Sequence, residues 1–302
     1  MDTLVLLGCV AALGSAAAWA VGSLLWRKIG DDVSPLGMNL GKGLLGLVFL
    51  GGALANFGIE PVDTRSLIFL GISGLLGIAL GDTFFFMALV RLDPRLTLLL
   101  GSVGQVFTVM MAVVFLGERP SPAAWAGIVL VIGGVTWVMR ERQERDDEEG
   151  GRSKKAWGVV WGLLAAICMS AGTIFAKVGV AEVSALEGTF LRLAVGMAGL
   201  ALFGAVRRQL GTRLSPFRDP RVLRSILAAV LVIIFGGFWL SLLALKYIDA
   251  SAAIILMSVE PLFVLPLVVS FRKEKVSLRA VLGALMAVGG VALIVVSLAE
   301  MS

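Results

Sequence analysis

Residues 102–135 read SVGQVFTVMMAVVFLGERPSPAAWAGIVLVIGGV, and residues 258–291 read SVEPLFVLPLVVSFRKEKVSLRAVLGALMAVGGV. The two stretches align without a gap at an offset of 156 residues, and 12 of their 34 positions are identical. In a chain this apolar, matches of glycine, alanine and valine arise by chance. A glutamate shared at the same place, Glu118 in one copy and Glu274 in the other, does not. The chain therefore contains an internal repeat.

The composition of the whole chain is far from that of a soluble protein. Of the 302 residues, 58% are hydrophobic and 16% are charged, and the mean hydropathy is +0.96. A soluble domain carries about 25% charged residues, and a chain of this size could not hide so much apolar surface from water. We therefore expect an all-α integral membrane protein, since a helix satisfies its own backbone hydrogen bonds within lipid.

Ten apolar stretches are long enough to cross a bilayer as helices, which takes about 20 residues each. They are residues 4–26, 36–55, 67–90, 96–116, 122–139, 156–178, 185–206, 222–245, 250–270 and 278–298. A dense run of charges, RERQERDDEEGGRSKK at residues 140–155, separates the first five from the last five. We predict a first five-helix repeat at residues 1–140, a charged linker at 141–155 and a second five-helix repeat at 156–302.

An odd number of helices in each repeat has a topological consequence. The second repeat must enter the membrane from the face opposite to the first, so the two repeats are inverted relative to each other. Inverted repeats are typical of transporters that bind substrate near the middle of the membrane, between the repeats, and open to one side at a time.

The repeated sequence resembles the EamA family of the drug/metabolite transporter superfamily. Residues 88–135 and 244–291 carry the resemblance, and the sequence Ser258-Val259-Glu260-Pro261 is close to the Glu-Pro signature of that family. The first copy departs from the signature, with Gly104-Gln105 in its place. The resemblance implies ten helices and the transport, often the export, of small molecules. In that family the substrates range from amino acids and sugars to nucleotide-linked metabolites and drugs.

Four charged side chains lie deep within the predicted helices, namely Lys42, Asp82, Arg192 and Glu260. Each ionised side chain at the centre of a bilayer costs about 2.5–3.5 kcal/mol on insertion scales, so such residues usually face a cavity or a partner. Lys42 and Arg192 occupy matching places in the second helix of each repeat, and we expect both to line one central cavity. Alternatively, each pairs with a nearby carboxylate or extends its charge to the membrane surface.

Asp82 and Glu260 are the two deep carboxyl groups. The sequence has no histidine, so these carboxyls are the deep groups able to carry a coupling proton. Pro261 weakens the helix beside Glu260, because proline removes a backbone hydrogen bond. The alternative is a static ion pair between a carboxylate and one of the deep cations. The sequence leaves both interpretations open.

Other residues are weaker candidates for the same cavity. Gln105 and Ser258 lie at or beside the signature position of the two copies. Four aromatic residues are candidates for lining the cavity, although aromatic side chains more often face lipid or the core: Trp19, Phe85, Phe86 and Trp239. Glu118 and Glu274 lie at helix ends beside basic residues, and we expect them to be loop-end caps or orientation signals rather than site residues.

Several kinds of chemistry are excluded. Without histidine there is no histidine metal site or histidine-based catalysis, and Cys9 and Cys168 lie in apolar runs. We therefore expect no metal, no cofactor and no disulfide framework. The basic residues lie in short loops and suit lipid head groups rather than nucleic acid. Most of them follow odd-numbered helices, which places both termini outside by the positive-inside rule, whereas the resemblance implies termini in the cytoplasm.

Together these observations predict a secondary transporter of small metabolites such as amino acids. We expect it to work as an exporter in a bacterial or archaeal cell membrane, by alternating access, with proton coupling as an option. One alternative is an exporter of multiple drugs or cationic compounds, and another, from a different class, is a membrane-embedded lipid-modifying enzyme. The expected partners are the small-molecule substrate and membrane lipid. The fifth and tenth helices carry no charge at residues 122–139 and 282–298 and offer a face for a homodimer.

Overall fold

The computed structural model describes residues 2–30, 32–58, 60–92, 94–143, 152–206, 217, 219–260, 262–263 and 278–301. Within these ranges the regular structure is entirely helical. The helices are α1 (Thr3–Ile29), α2 (Pro35–Phe57), α3 (Thr64–Leu89), α4 (Pro94–Met111, continued by Ala112–Leu116), α5 (Pro122–Gln143), α6 (Arg152–Gly179), α7 (Ala185–Val206), α8 (Pro220–Tyr247), α9 (Ala250–Met257) and α10 (Leu278–Met301).

Six of these helices are long and apolar enough to cross a membrane, namely α1, α2, α3, α6, α7 and α8. Shorter apolar helical stretches lie in α4, α5 and α10, at Gly104–Leu116, Pro122–Gly134 and Leu285–Ser297. The outer surface is also apolar, with large side chains such as Val48, Leu202 and Val206 each more than 60% exposed. So much exposed apolar surface fits contact with lipid. The predicted number of ten crossings stays a prediction.

Local sequence signals set where several helices begin. Ser34 precedes Pro35 of α2 and accepts a hydrogen bond from the backbone N–H of Gly37 at 3.3 Å. Asp63 precedes α3 and accepts one from the N–H of Ser66 at 3.0 Å. Such caps satisfy backbone groups that a helix leaves without internal partners. Hydrogen bonds from the Ser66 side chain and backbone hold the pKa of the Asp63 carboxyl below its usual range.

Three of the helices contain π-helical segments. These lie at Gly74–Gly81 in α3, Ala112–Leu116 in α4 and Val232–Trp239 in α8. At the 156-residue offset of the repeat, the segments in α3 and α8 overlap, so both copies carry the same interruption near the middle of the same helix. Segments of this kind are frequent at functional sites.

The π-helical part of α3 packs closely against α7. A Cβ atom added at Gly74 would overlap the backbone carbonyl of Arg192. Only glycine permits this approach, which fixes the position of the Arg192 backbone beside α3.

Helices α5 and α10 pack against each other in opposite directions through paired glycines. A Cβ atom on Gly127 would lie 2.7 Å from the carbonyl oxygen of Gly290, and one on Gly290 would lie 2.6 Å from that of Gly127. Gly134 meets Gly283 in the same way. At the repeat offset Gly127 corresponds to Gly283, and Gly134 to Gly290. Gly127 therefore contacts Gly290, the counterpart of Gly134, and Gly134 contacts Gly283, the counterpart of Gly127. The contact is thus reciprocal between the two repeats.

The ends of this contact and of the charged segment are also defined. Ser121 before α5 is hydrogen-bonded to Ser297 near the end of α10, with 2.6 Å between the two hydroxyl oxygens.

Helix α5 ends at Gln143 and helix α6 begins at Arg152. Both helices thus extend into the charged segment predicted as a linker at residues 141–155.

Candidate functional site

A cavity of about 240 Å³ lies among helices from both sides of the charged segment. Its walls come from α1, α3 and α4 before that segment, from α6, α7, α8 and α9 after it, and from the turn that follows α9. The polar side chains on the walls are Ser23, Asp82, Thr97, Gln105, Thr108, Ser170, Thr173, Arg192, Ser241, Ser258 and Glu260. The aromatic ones are Trp19, Trp26, Phe85 and Phe238. The cavity therefore offers a charged and hydrogen-bonding interior with an aromatic side.

Most of the residues predicted from the sequence lie on these walls. They are Trp19, Asp82, Phe85, Gln105, Arg192, Ser258 and Glu260. Lys42, Phe86 and Trp239 do not line the cavity, and each is placed elsewhere by its own contacts. Pro261 lies outside the described residues.

Lys42 lies behind the cavity wall, where it forms an ion pair with Asp82. None of the described side chains of α2 lies on the walls, so Lys42 reaches the carboxylate of Asp82 on α3 instead of the cavity. Its ammonium nitrogen lies 4.9 Å from the ring centre of Phe238 and 5.6 Å from that of Phe86. Such cation–π contacts help to stabilise a buried cation. Of the two cations expected to line the cavity, only Arg192 does so.

The two aromatic residues absent from the walls are packed into the core. Phe86 is buried and contacts Trp26, with 5.3 Å between ring centres. Trp239 is partly buried against a cluster of apolar side chains that includes Leu242 and Ile255. Phe85, one residue before Phe86 on α3, lies on the cavity wall. Neighbouring residues of a helix point in different directions, so one of the two phenylalanines lines the cavity and the other packs in the core.

Arg192 on α7 is 92% buried and reaches the cavity wall. In the described part of the chain, its Nε atom has no hydrogen-bond partner. The indole Nε1 of Trp26 on α1, also on the wall, is buried and equally without a partner there. Buried donors of this kind are uncommon in folded proteins, and each calls for an explanation.

Glu260 lies just beyond α9 and is half-buried on the cavity wall. Among the described residues it makes no ion pair, since the one found there joins Lys42 to Asp82. The neighbouring Ser258 donates its hydroxyl proton to the carbonyl of Ile255 at 2.7 Å. Glu260 thus presents a carboxyl group to the cavity.

The family of the protein follows from comparison with known proteins. The model of the EamA-like transporter family matches residues 6–140 and 156–296. The chain belongs to the EamA-like transporter family. The resemblance seen in the repeat is therefore confirmed, and this EamA-like transporter is a membrane protein and not an enzyme.

Individual relatives extend this result. An uncharacterized transporter of Archaeoglobus fulgidus is 26% identical over 272 residues, which cover 90% of this chain and 91% of that protein. The threonine/homoserine exporter RhtA of Escherichia coli (strain K12) is 29% identical over 143 residues, or 46% of this chain and 48% of RhtA. A protein of known crystal structure matches with a TM-score of 0.74 at 18% identity, covering 95% of each chain, and shows the shared fold.

Small and polar residues on two helices of this EamA-like transporter were not predicted as site residues. On α4 the wall is formed by Thr97, Gly101, Gly104 and Thr108, which lie beside the predicted Gln105. Their spacing of three or four residues places them on one helix face, and the same spacing recurs on α6 over residues 162–173. Such a stripe of small and polar residues in an apolar helix was the available sequence signal.

A second group of charges lies outside the cavity, where α4 and α8 meet α9. The carboxylate of Glu118 accepts hydrogen bonds from the N–H of Ala250 at 2.6 Å and from the N–H and hydroxyl of Ser251 at 3.0 and 2.6 Å. Glu118 is thus a helix cap, as its position at a helix end predicted, and Glu274 lies outside the described residues. Burial raises the pKa of Asp249 beside this cap, and the charge of Glu118 raises it further, while Lys177 opposes the shift.

Lys177 of α6 had no predicted role. Its ammonium group donates hydrogen bonds to the carbonyls of Leu245 and Ile248 at 2.8 and 2.7 Å. A cation at the carboxyl end of a helix is favourable, because the helix dipole is negative there. Lys177 therefore stabilises the end of α8.

Proposed function

We propose that the protein is a secondary transporter that exports small zwitterionic metabolites such as amino acids, by alternating access around the central cavity. The observation that carries the proposal is the pair of opposite charges, Arg192 and Glu260, on the walls of one small cavity. A substrate with one carboxylate and one ammonium group would complement both. Intramembrane charges that face a cavity are typical of transport pathways.

The size of the cavity also favours small substrates. A volume of about 240 Å³ lies below the range of about 300–1,000 Å³ that is usual for pockets binding drug-sized ligands. The match to RhtA, which is named as an exporter of threonine and homoserine, covers about half of the chain and supports an amino-acid substrate. The direction of transport rests on the same match and on the family resemblance.

Alternating access requires two packings of similar energy, and inverted repeats provide them. We propose ten crossings, with five helices in each repeat. Support comes from the 156-residue sequence repeat, from the π-helical segments at equivalent places in α3 and α8, and from the reciprocal contact of α5 with α10. Helices that correspond in the two repeats and pack in opposite directions are what an axis within the membrane plane generates.

Glu260 is the group we propose for energy coupling. It faces the cavity, whereas Asp82 already neutralises Lys42. A carboxylate that binds the ammonium group of the substrate cannot bind a proton at the same time. If the two compete for Glu260, proton entry drives substrate release, and the result is exchange of protons for substrate.

The second candidate function is export of cationic compounds. Glu260 and the aromatic wall of Trp19 and Phe238 favour it, because cations bind both to carboxylates and to the faces of aromatic rings. Arg192 on the same wall disfavours it, because a cationic substrate would be repelled. The presence of this buried arginine makes the zwitterion the better choice.

The protein reconstituted in liposomes tests the proposal. Vesicles loaded with radiolabelled L-threonine are placed in a buffer that imposes a pH gradient, and substrate efflux is followed. Wild-type protein should release substrate faster with the gradient than without it. E260Q should lose this acceleration, and E182Q, which changes an exposed glutamate outside the cavity, should retain it.

Two results of this transport experiment would contradict the proposal. If E260Q responds to the gradient as the wild type does, Glu260 is not the coupling group. If the vesicles expel a cationic dye and release no amino acid from a panel of all twenty, the second candidate function is correct.

The cell membrane of a bacterium or archaeon is the location we propose, in line with relatives from Archaeoglobus fulgidus and Escherichia coli. A homodimer through α5 and α10 would use the outer faces of these helices, where Val129 and Leu285 are exposed. Their glycine faces are already in contact within one chain.

A further inference from the structure

Two buried hydrogen-bond donors on the cavity wall have no acceptor within the described ranges of the chain. One is the Nε–H of Arg192 on α7, and the other is the indole N–H of Trp26 on α1. Arg192 is 8% exposed and Trp26 is 2% exposed, so bulk water does not surround either residue. Leaving a buried donor without an acceptor costs about 1–3 kcal/mol, and more for a charged group. An acceptor inside the cavity would remove this cost.

Within the described residues, the guanidinium of Arg192 donates no hydrogen bond to the nearby carboxylate of Asp82. Asp82 attracts the arginine charge, but its hydrogen-bonded ion pair is with Lys42. The three groups together carry two positive charges and one negative charge. Glu260 lies on the same wall but forms no ion pair with Arg192 in the described part of the chain, so the guanidinium can bind the anionic group of a ligand.

We propose that the Arg192 guanidinium and the Trp26 indole N–H bind the carboxylate of the transported substrate, and that Lys42 keeps Arg192 available by holding Asp82. The inference rests on the proposed transport function and assigns one end of its site. Arg192 is the substrate-binding residue, and Lys42 acts on the substrate through Asp82 as a positioning residue.

A carboxylate fits this site better than a phosphate. A guanidinium presents two parallel donors that match the two oxygens of a carboxylate. A phosphate monoester carries close to two negative charges at pH 7, which a single free cation does not balance. Glu260 on the same small cavity would repel the second charge.

Matched ligand pairs test the assignment. The purified protein is titrated with each of the common L-amino acids and with its carboxamide, which keeps the ammonium group and side chain but removes the negative charge. Binding is measured as the shift in thermal unfolding, because a ligand that binds the native state stabilises it. A charged hydrogen bond contributes about 1.5–3 kcal/mol, so the best amino acid should bind at least about tenfold more tightly than its carboxamide.

Substitutions show which residues make the protein prefer the acid to its carboxamide. In R192Q the ratio of affinities for acid and amide should fall to about one. In W26F, which keeps the aromatic ring and removes the N–H, the ratio should fall in part. R221Q changes an exposed arginine at the start of α8 and should retain the wild-type ratio.

Lys42 gives a test that begins at a residue behind the cavity wall. In K42M the carboxylate of Asp82 loses its partner and becomes free to bind Arg192, so the preference for the acid should fall. In K42M/D82N the competitor is gone, and the preference should return. A purely structural role for Lys42 would weaken the binding of acid and amide alike in K42M and leave their ratio unchanged.

The outcomes separate the inference from the proposed function. Transport of amino acids with the same acid-to-amide ratio in wild type and R192Q overturns the inference and leaves the function standing. Binding of an acid that depends on Arg192, without transport in liposomes, supports the inference and overturns the function. If no amino acid binds more tightly than its carboxamide, the carboxylate site is excluded.

Discussion

The buried ion pair of Lys42 and Asp82 illustrates how much a single side chain can determine in this protein. Lys42 is 1% exposed and Asp82 is 4% exposed, so each charge depends on the other for compensation. Removing one partner of a buried pair typically destabilises a protein by about 3–5 kcal/mol, because the remaining charge is left uncompensated. Removing both can be nearly neutral.

We predict that D82N lowers the unfolding temperature of the purified protein, because Lys42 is then buried without a partner. K42M/D82N should recover most of the loss. Thermal unfolding in detergent measures both. D32N, on an exposed loop, is the control and should unfold at the wild-type temperature. A double variant no more stable than D82N would contradict the assignment of the pair.

Asp249 yields a prediction about pH. Its pKa is raised in the folded protein, so protonation favours the folded state and its contribution to stability declines as pH rises from the unfolded value of about 3.9 through the folded one. D249N resembles the protonated form at every pH. The unfolding temperature of D249N relative to wild type should therefore increase between pH 4.5 and pH 7.5. A difference that stays constant or decreases would show that Asp249 is not destabilised by its ionisation.

For single residues, the sequence predicts which charged side chains belong to the site better than it predicts the direction in which each side chain points. Asp82, Arg192 and Glu260 were predicted from the cost of placing a charge in lipid, and all three lie on the cavity wall. Lys42 meets the same criterion, but it lies behind the wall, where it pairs with Asp82. Composition does not determine the rotation of a helix about its axis, and Phe85 and Phe86 differ in role for the same reason.

Among the helices, the contact of α5 with α10 depends on the absence of side chains at four positions. Gly127 and Gly290 bring the two backbones together, and Gly134 and Gly283 repeat the contact. The neighbouring Gly289 has no atom within 4 Å of an added Cβ. Two adjacent glycines of one helix therefore have opposite environments.

We predict that G290A destabilises the protein and that G289A does not. The added methyl group at Gly290 overlaps the backbone of α5, and overpacking of this kind typically costs about 1–3 kcal/mol. At Gly289 the methyl group has open space, and alanine is the better helix former. Unfolding temperatures of the two variants provide the measurement. Equal effects would mean that α5 and α10 are not in backbone contact at this place.

The helix boundaries were easier to predict than the interruptions within helices. The predicted spans at residues 36–55 and 67–90 begin one and three residues after the starts of α2 and α3, whose caps Ser34 and Asp63 are ordinary sequence signals. The π-helical segments in α3 and α8 carry no such signal, because they depend on how glycines such as Gly74 fit against a neighbouring helix. Packing between distant segments decides them, and a single sequence does not contain it directly.

For the whole molecule, the sequence repeat and the apolar composition predicted a helical membrane protein, and the family match and the helices agree. The existence of a central cavity followed from the charges of both repeats. Its shape did not, because it is defined by small residues on α4 and α6 that have no distinctive chemistry individually.

The proposed inverted arrangement of the two repeats leads to a prediction about topology. If each repeat crosses the membrane five times, the charged segment at residues 144–150 and the two termini lie on opposite sides. Reporters that are active on only one side of the membrane, inserted in that segment and fused at Ser302, should give opposite signals. The basic residues favour the charged segment on the cytoplasmic side. The same signal from both reporters would rule out five crossings in the second repeat.

The reciprocal glycine contact also limits how the protein can move. Where the backbones of α5 and α10 touch, no side chain lies between them that could change its rotamer. We therefore expect this helix contact to be rigid. In the proposed rocking between the two open states, the remaining helices would have to rotate about the contact of α5 with α10. Most of the displacement would then fall on helices outside this contact.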